Sequence, residues 1–190
     1  MIAGVTTPAV IDMNARTILF LILLMSLFGN AHAAKCKFEV QEANHVESKR
    51  LVLFRGATIG LMGYFGVKDG ERYIRGLFGS NFKARAMFTA DTPLELIMVD
   101  NRTVTLNVVT ETISSKLKFG HIITGTRDAH PVYSVTPEQW SALQAEPIAS
   151  LRLNYDVKGE RRTEARDVKK KHAQRIMDAI ACVSGEGDDN

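Results

Sequence analysis

The feature that most constrains the fold is a regular alternation of apolar and polar residues at 148–157. Leu151 and Leu153 fall on one side of an extended chain, whereas Arg152 and Asn154 fall on the other. This period of two residues is that of a β-strand, in which successive side chains point to opposite faces. A strand with one apolar and one polar face is typical of an antiparallel sheet.

Several other short runs predict that this sheet has six to eight strands. They are a first strand at 37–46 that turns back to pair with 51–55, two runs on either side of Lys68-Asp69-Gly70-Glu71, and runs at 82–89, 94–99 and 103–110. Asp69-Gly70 indicates a tight hairpin turn, because both residues tolerate a positive φ. Seven of the 14 glycines lie between 56 and 79. Their spacing is not that of a dinucleotide-binding loop and indicates bulges or close backbone approach.

Two helices are predicted in the last third of the chain. The first, near 137–145, has Thr136 as its N-cap, Pro137 in its first position and Gln139 closing a capping box. The second, near 164–183, has an apolar stripe and ends before Gly185. We therefore predict an α+β fold in which the C-terminal helix packs on one face of the antiparallel sheet.

The N-terminal segment has the layout of a secretory signal peptide. An apolar run at 18–28 follows Arg16 and leads to Ala31-His32-Ala33, with small residues at the two positions that a signal peptidase reads. As a helix, this run would rise about 16 Å, roughly half of the hydrocarbon core of a bilayer, so a permanent anchor is not favoured. We predict cleavage after Ala33 and leave open whether translation starts at Met1 or Met13.

This interpretation sets the domain organisation. Residues 1–33 are predicted to be the signal peptide, 34–185 a single α+β domain and 186–190 a disordered acidic tail. No second run approaches 18 consecutive apolar residues, so the processed protein is predicted to have no transmembrane segment. The expected location is the periplasm or the extracellular space.

The chain has two cysteines, Cys36 and Cys182, near the two ends of the predicted domain. In an oxidising compartment an even number of cysteines indicates a disulfide. Two unrelated thiols and a metal or redox pair are the alternatives, but neither cysteine lies in a C-x-x-C motif or beside a histidine. We predict a disulfide that joins the last helix to the first strand.

Residues 111–131 have weak periodicity and many polar side chains, and are predicted to form a long loop with a short strand at 122–123. Loops on a rigid scaffold often carry binding groups. His121, Asp128 and His130 are the candidate metal ligands here, but zinc sites usually show tighter, cysteine-rich spacing. We therefore predict neither a metal nor another cofactor.

The sequence does not identify catalytic residues. It has no G-x-S-x-G motif, and its paired carboxylates fall on predicted turns and solvated strand faces. His172 lies on the apolar stripe of the last helix and is interpreted as a residue at the edge of the core. An enzyme is therefore the less favoured class.

Basic residues are concentrated near the C-terminus, although the net charge of the chain is only +3. Residues 158–175 include eight basic and three acidic side chains, a local charge of +5. Lys169, Lys170, Lys171 and Arg175 are the candidates for contact with an anionic surface. The alternative is a solvated helix face. Nucleic acid is not an expected partner, because the segment has no interleaved aromatic residues.

The layout resembles that of small exported bacterial proteins of unknown function. The residues that carry the resemblance are the signal segment, Cys36-Lys37-Phe38 in the first strand, the helix start at 133–139 and the basic helix that ends in Cys182. The resemblance implies a fold and an export route but no activity.

We therefore expect an exported, non-catalytic protein that binds another protein or an envelope component. An exported hydrolase or metal-dependent enzyme that uses the 111–131 loop is the alternative.

Overall fold

A computed structural model describes residues 36–81, 84–115 and 127–185. All of them belong to one structural unit that extends from Ala34 to Asn190. The predicted signal peptide, the short strand at 122–123 and the acidic tail lie outside the described residues.

Within the described residues, the chain forms mainly strands, with two helices in its last third. In chain order the elements are β1 (Phe38–Glu42), β2 (His45–Ser48), β3 (Leu51–Arg55), β4 (Ile59–Lys68), β5 (Glu71–Ser80), β6 (Ala86–Phe88), β7 (Leu94–Met98), β8 (Thr103–Leu106), β9 (Thr112–Ile113), β10 (Arg127–Ala129), β11 (Val132–Val135), α1 (Pro137–Ala145), β12 (Ile148–Val157), β13 (Glu160–Asp167) and α2 (Lys170–Val183).

The strands form two antiparallel sheets. The first has the order β1–β2–β4–β5–β10, with β3 also beside β4 and β11 also beside β5. The second has the order β8–β7–β12–β6–β9, with β13 also beside β12. The α+β fold is therefore confirmed, but the strands are divided between two sheets rather than placed in one sheet of six to eight.

The apolar sides of the two sheets meet in one core. The Phe78 ring on β5 lies 5.1 Å from the Phe88 ring on β6 and 5.3 Å from the Tyr155 ring on β12, measured between ring centroids. Phe78 and Phe88 are fully buried and Tyr155 almost so, and each such side chain stabilises the fold by roughly 1.5 to 3 kcal/mol. This packing explains the alternation in β12, whose apolar side chains face the first sheet.

The first predicted strand is instead a hairpin. Its residues form β1 and β2, joined by a turn at Ala43-Asn44, and these two strands pair with each other. The predicted partner, Leu51–Arg55, pairs with β4. The Asn44 amide donates a hydrogen bond to the Asp69 carboxylate in the neighbouring hairpin turn, which holds the two turns together.

The hairpin turn between β4 and β5 is confirmed. Asp69 and Gly70 have φ values of 51° and 83°, the left-handed conformation that a primed turn requires. The predicted run at 82–89 contributes only Ala86–Phe88 as a strand, and Phe82 lies outside the described residues.

Helix α1 begins as predicted, because both hydrogen bonds of its capping box are present. The Gln139 backbone N–H donates to the Thr136 hydroxyl at 3.3 Å, and the Thr136 backbone N–H donates to the Gln139 side-chain oxygen at 2.9 Å. Helix α2 begins at Lys170, later than the predicted start near 164. The preceding residues form β13, which pairs with β12 along its whole length.

Helix α2 packs against β2, β3 and β4 through Ala173, Ile176, Ile180 and Val183. The predicted disulfide is present, with the Cα atoms of Cys36 and Cys182 5.5 Å apart. It joins Cys36, which lies just before β1, to the last turn of α2. Within the described residues, we find no helix long and apolar enough to cross a membrane.

Candidate functional site

The predicted metal ligands are only partly described. Asp128 lies on β10 opposite Gly79, and His130 is exposed just after that strand. His121 lies outside the described residues. Across residues 36–81, 84–115 and 127–185, no three histidine, cysteine or carboxylate side chains are close enough together to hold a metal ion. A site that includes His121 therefore stays a hypothesis.

A groove of about 730 Å³ lies on the first sheet and contains a buried carboxylate. Glu47 on β2 has only 3% of its side chain exposed. The Arg75 guanidinium on β5 donates to both carboxylate oxygens, from Nη2 at 2.5 Å and from Nε at 3.1 Å. Arg75 also lies over the Tyr64 ring, 3.8 Å from its centroid. These contacts fix the orientation of the guanidinium.

Tyr73 connects this ion pair to His45. The Tyr73 hydroxyl donates to Glu47 Oε2 at 2.8 Å and lies 2.8 Å from His45 Nε2. Because the hydroxyl has one proton and gives it to Glu47, His45 Nε2 must be the donor in the second bond. Burial and the hydrogen bond to Glu47 raise the pKa of Tyr73 above its ordinary value.

The polar groups at the floor of this groove are therefore used in bonds to one another. Glu47 is neutralised by Arg75 and further bonded by Tyr73, so the cluster links β2 to β5 rather than presenting free charge. Sequence reasoning missed this cluster, because Tyr73 and Arg75 lie 26 and 28 residues from Glu47 and no local motif joins them.

A second candidate surface consists of exposed basic residues. The predicted residues Lys169, Lys170, Lys171 and Arg175 are all exposed in the N-terminal half of α2 or just before it. The fold brings Lys37, Lys49 and Arg50 beside this helix, since all three line a groove of about 450 Å³ with Arg175. No local pattern in the sequence marks these three residues, which come from the opposite end of the domain. We call these seven residues the basic face.

The basic face lacks matching acidic partners. Asp178 is an acidic residue that lines the same groove, and it accepts a hydrogen bond from Gln174. Among the described residues, none of the seven cations has a carboxylate oxygen within 4.0 Å. The basic segment of the sequence thus divides into two parts, because each of the three arginines of β13 has a carboxylate partner. These pairs are Arg161 with Asp156, Arg162 with Glu160 and Arg166 with Glu164.

The pKa of His172 is affected by the positive charges of the basic face. Partial burial, together with the charges of Lys171, Arg175 and Lys169, lowers the pKa of His172 below its ordinary value. The start of α2 adds to this positive potential, because its first turn has no acidic residue and its N-cap has no side-chain hydrogen bond. An anion at this surface would therefore be stabilised by several uncompensated positive charges.

Comparison with known proteins finds no family model that matches the chain and no curated protein with significant similarity to it. The resemblance to small exported bacterial proteins therefore stays a prediction.

Proposed function

We propose that this is an exported, non-catalytic binding protein whose basic face attaches to anionic phospholipid headgroups of the cell envelope. Export is supported by the predicted signal peptide, and the Cys36–Cys182 disulfide is compatible with an oxidising compartment. The observation that carries the proposal is the contrast between the unpaired cations of the basic face and the paired arginines of β13.

The composition of the basic face favours an extended surface as its partner. Five of its seven cations are lysines, and an ammonium group is a compact, hydrated charge without the planar fork that recognises one shaped anion. Each Lys or Arg near an anionic bilayer contributes about 1 kcal/mol to attachment. The expected attachment is reversible and weakens as salt screens the charges.

The test is binding of the disulfide-bonded protein to vesicles of phosphatidylglycerol and phosphatidylcholine, compared with vesicles of phosphatidylcholine. We expect binding to the anionic vesicles at low salt and its loss at high salt. Neutralising Lys37, Lys49 and Lys171 together with Gln should weaken binding about 100-fold, from the contribution of about 1 kcal/mol per charge.

The matched control neutralises Arg161, Arg162 and Arg166 with Gln, which changes the net charge by the same amount. This variant should bind nearly as well as the wild type, because its arginines are already paired. Equal loss of binding in both variants would contradict a specific basic face. Binding to an acidic polysaccharide but not to anionic vesicles would overturn the proposed lipid partner.

A further inference from the structure

A small notch lies within the basic face, between α2 and the segment that connects β2 to β3 and begins β3. It is lined by Arg50, Leu51, Val52, His172 and Arg175, and its volume is about 100 Å³. Leu51 and Val52 supply an apolar wall, and the other three side chains can all carry a positive charge.

We infer that this notch binds the phosphate group of a phosphomonoester. The inference rests on the proposed function only for the source of that phosphate, which is either a lipid headgroup or a soluble molecule. The notch itself would bind the same chemical group in both cases.

The donor set favours a dianion with three or more terminal oxygens over a monoanion with two. A guanidinium presents parallel N–H groups that match the oxygens of phosphate, and both Arg50 and Arg175 line the notch. A phosphomonoester has three terminal oxygens and a charge of about −1.5 to −2 at neutral pH. A phosphodiester or carboxylate has only two terminal oxygens and one charge, so it would leave part of the donor set unused.

His172 supplies the third donor when it is protonated. The charged groups that surround it are Lys169 just before α2, Lys171 and Arg175 on α2, and Arg50 on the facing connection. A bound dianion would offset these charges and favour the imidazolium, so phosphate binding should be accompanied by proton uptake. The apolar wall of Leu51 and Val52 would contact the carbon atoms next to the ester oxygen.

The experiment titrates the disulfide-bonded protein with inorganic phosphate, glycerol 3-phosphate and the phosphodiester dimethyl phosphate, and follows the His172 ring protons by NMR. We expect glycerol 3-phosphate to bind more tightly than the phosphodiester dimethyl phosphate and to raise the pKa of His172. Arg50→Gln and Arg175→Gln should each weaken its binding at least 10-fold. The triple Gln variant of Lys37, Lys49 and Lys171 should weaken it less than either arginine variant does.

Unchanged affinity in both arginine variants, or equal affinity for dimethyl phosphate and glycerol 3-phosphate, would overturn the proposed phosphate site. This result is separate from the vesicle test, since a diffuse basic face binds anionic vesicles without any notch. Vesicles of phosphatidic acid and of phosphatidylglycerol, matched in surface charge, then identify the source. Tighter binding to phosphatidic acid supports a lipid phosphomonoester, and equal binding together with glycerol 3-phosphate binding supports a soluble one.

Discussion

Arg75 illustrates how one residue can hold several strands of the first sheet in register. It neutralises Glu47, whose side chain is 3% exposed, and it packs over Tyr64. Replacing Arg75 with Met would keep the apolar contact and leave the buried carboxylate without its cation. We expect the free energy of unfolding to fall by about 3 kcal/mol or more, as measured by urea denaturation.

The matched control is Arg152→Met on β12. Arg152 pairs with Glu95 at 3.4 Å, but 58% of its side chain is exposed. Removing an exposed pair should change stability by less than about 1 kcal/mol. Equal effects of the two substitutions would show that burial of Glu47 does not matter to the fold.

His172 gives a prediction about pH. Folding lowers its pKa, whereas in the unfolded chain the pKa is about 6.5. Between these two values the unfolded chain binds the extra proton, so the free energy of unfolding decreases as the pH falls through this window. The variant His172→Gln should therefore lose less stability than the wild type between about pH 7.5 and about pH 5.5.

Urea denaturation at both pH values measures this difference, and the other histidines contribute equally to both proteins. A wild type and variant with the same pH dependence would contradict an effect of the basic face on His172.

At the scale of elements, Gly66 on β4 allows the Tyr73 side chain to cross from β5 towards β2. A Cβ atom at Gly66 would lie 2.3 Å from Tyr73 Cζ, so the ring would have to move away from Glu47 and His45. We expect Gly66→Ala to destabilise the protein by about 1 to 3 kcal/mol. In a Tyr73→Ala background the same substitution should cost less, and additive costs in this double-mutant cycle would contradict the contact.

The same strands show which elements could be predicted from the sequence. Helix α1 was predicted closely because its capping box lies within four residues, and β12 because its alternation is local. The start of α2 could not be predicted, because β13 is exposed on both faces and has no apolar alternation. The strand conformation of β13 depends on pairing with β12, so the sequence of β13 shows no period of two residues.

At the scale of the whole molecule, the period of two residues shows that a strand has an apolar face. It does not show which other element packs against that face. The division into two sheets depends on contacts such as that between Phe78 and Tyr155, which are 77 residues apart in the sequence. The basic face could likewise be predicted only in part from the sequence. Its helix residues are consecutive and were predicted, whereas Lys37, Lys49 and Arg50 reach the same surface only through packing of α2 on the first sheet.

The disulfide joins the two ends of the domain, so it adds a covalent link to the packing of α2 on the first sheet. Its cysteines are 146 residues apart, and closing a loop of that length stabilises a fold by about 4 to 5 kcal/mol in the chain-entropy model. A domain is typically stable by only about 5 to 15 kcal/mol. We therefore expect the double variant Cys36→Ser, Cys182→Ser to lose about 3 to 5 kcal/mol of unfolding free energy.

The fluorescence of Trp140 can follow this unfolding in urea, because its indole is buried on α1 and donates a hydrogen bond at 2.8 Å to Ser184, just after α2. Reduced wild-type protein should match the double variant, since both lack the same cross-link. If the variant loses less than about 1 kcal/mol, the cross-link adds little to the native packing of α2. A large loss would instead show that the two chain ends, and the basic face that they form with α2, depend on the disulfide to remain together.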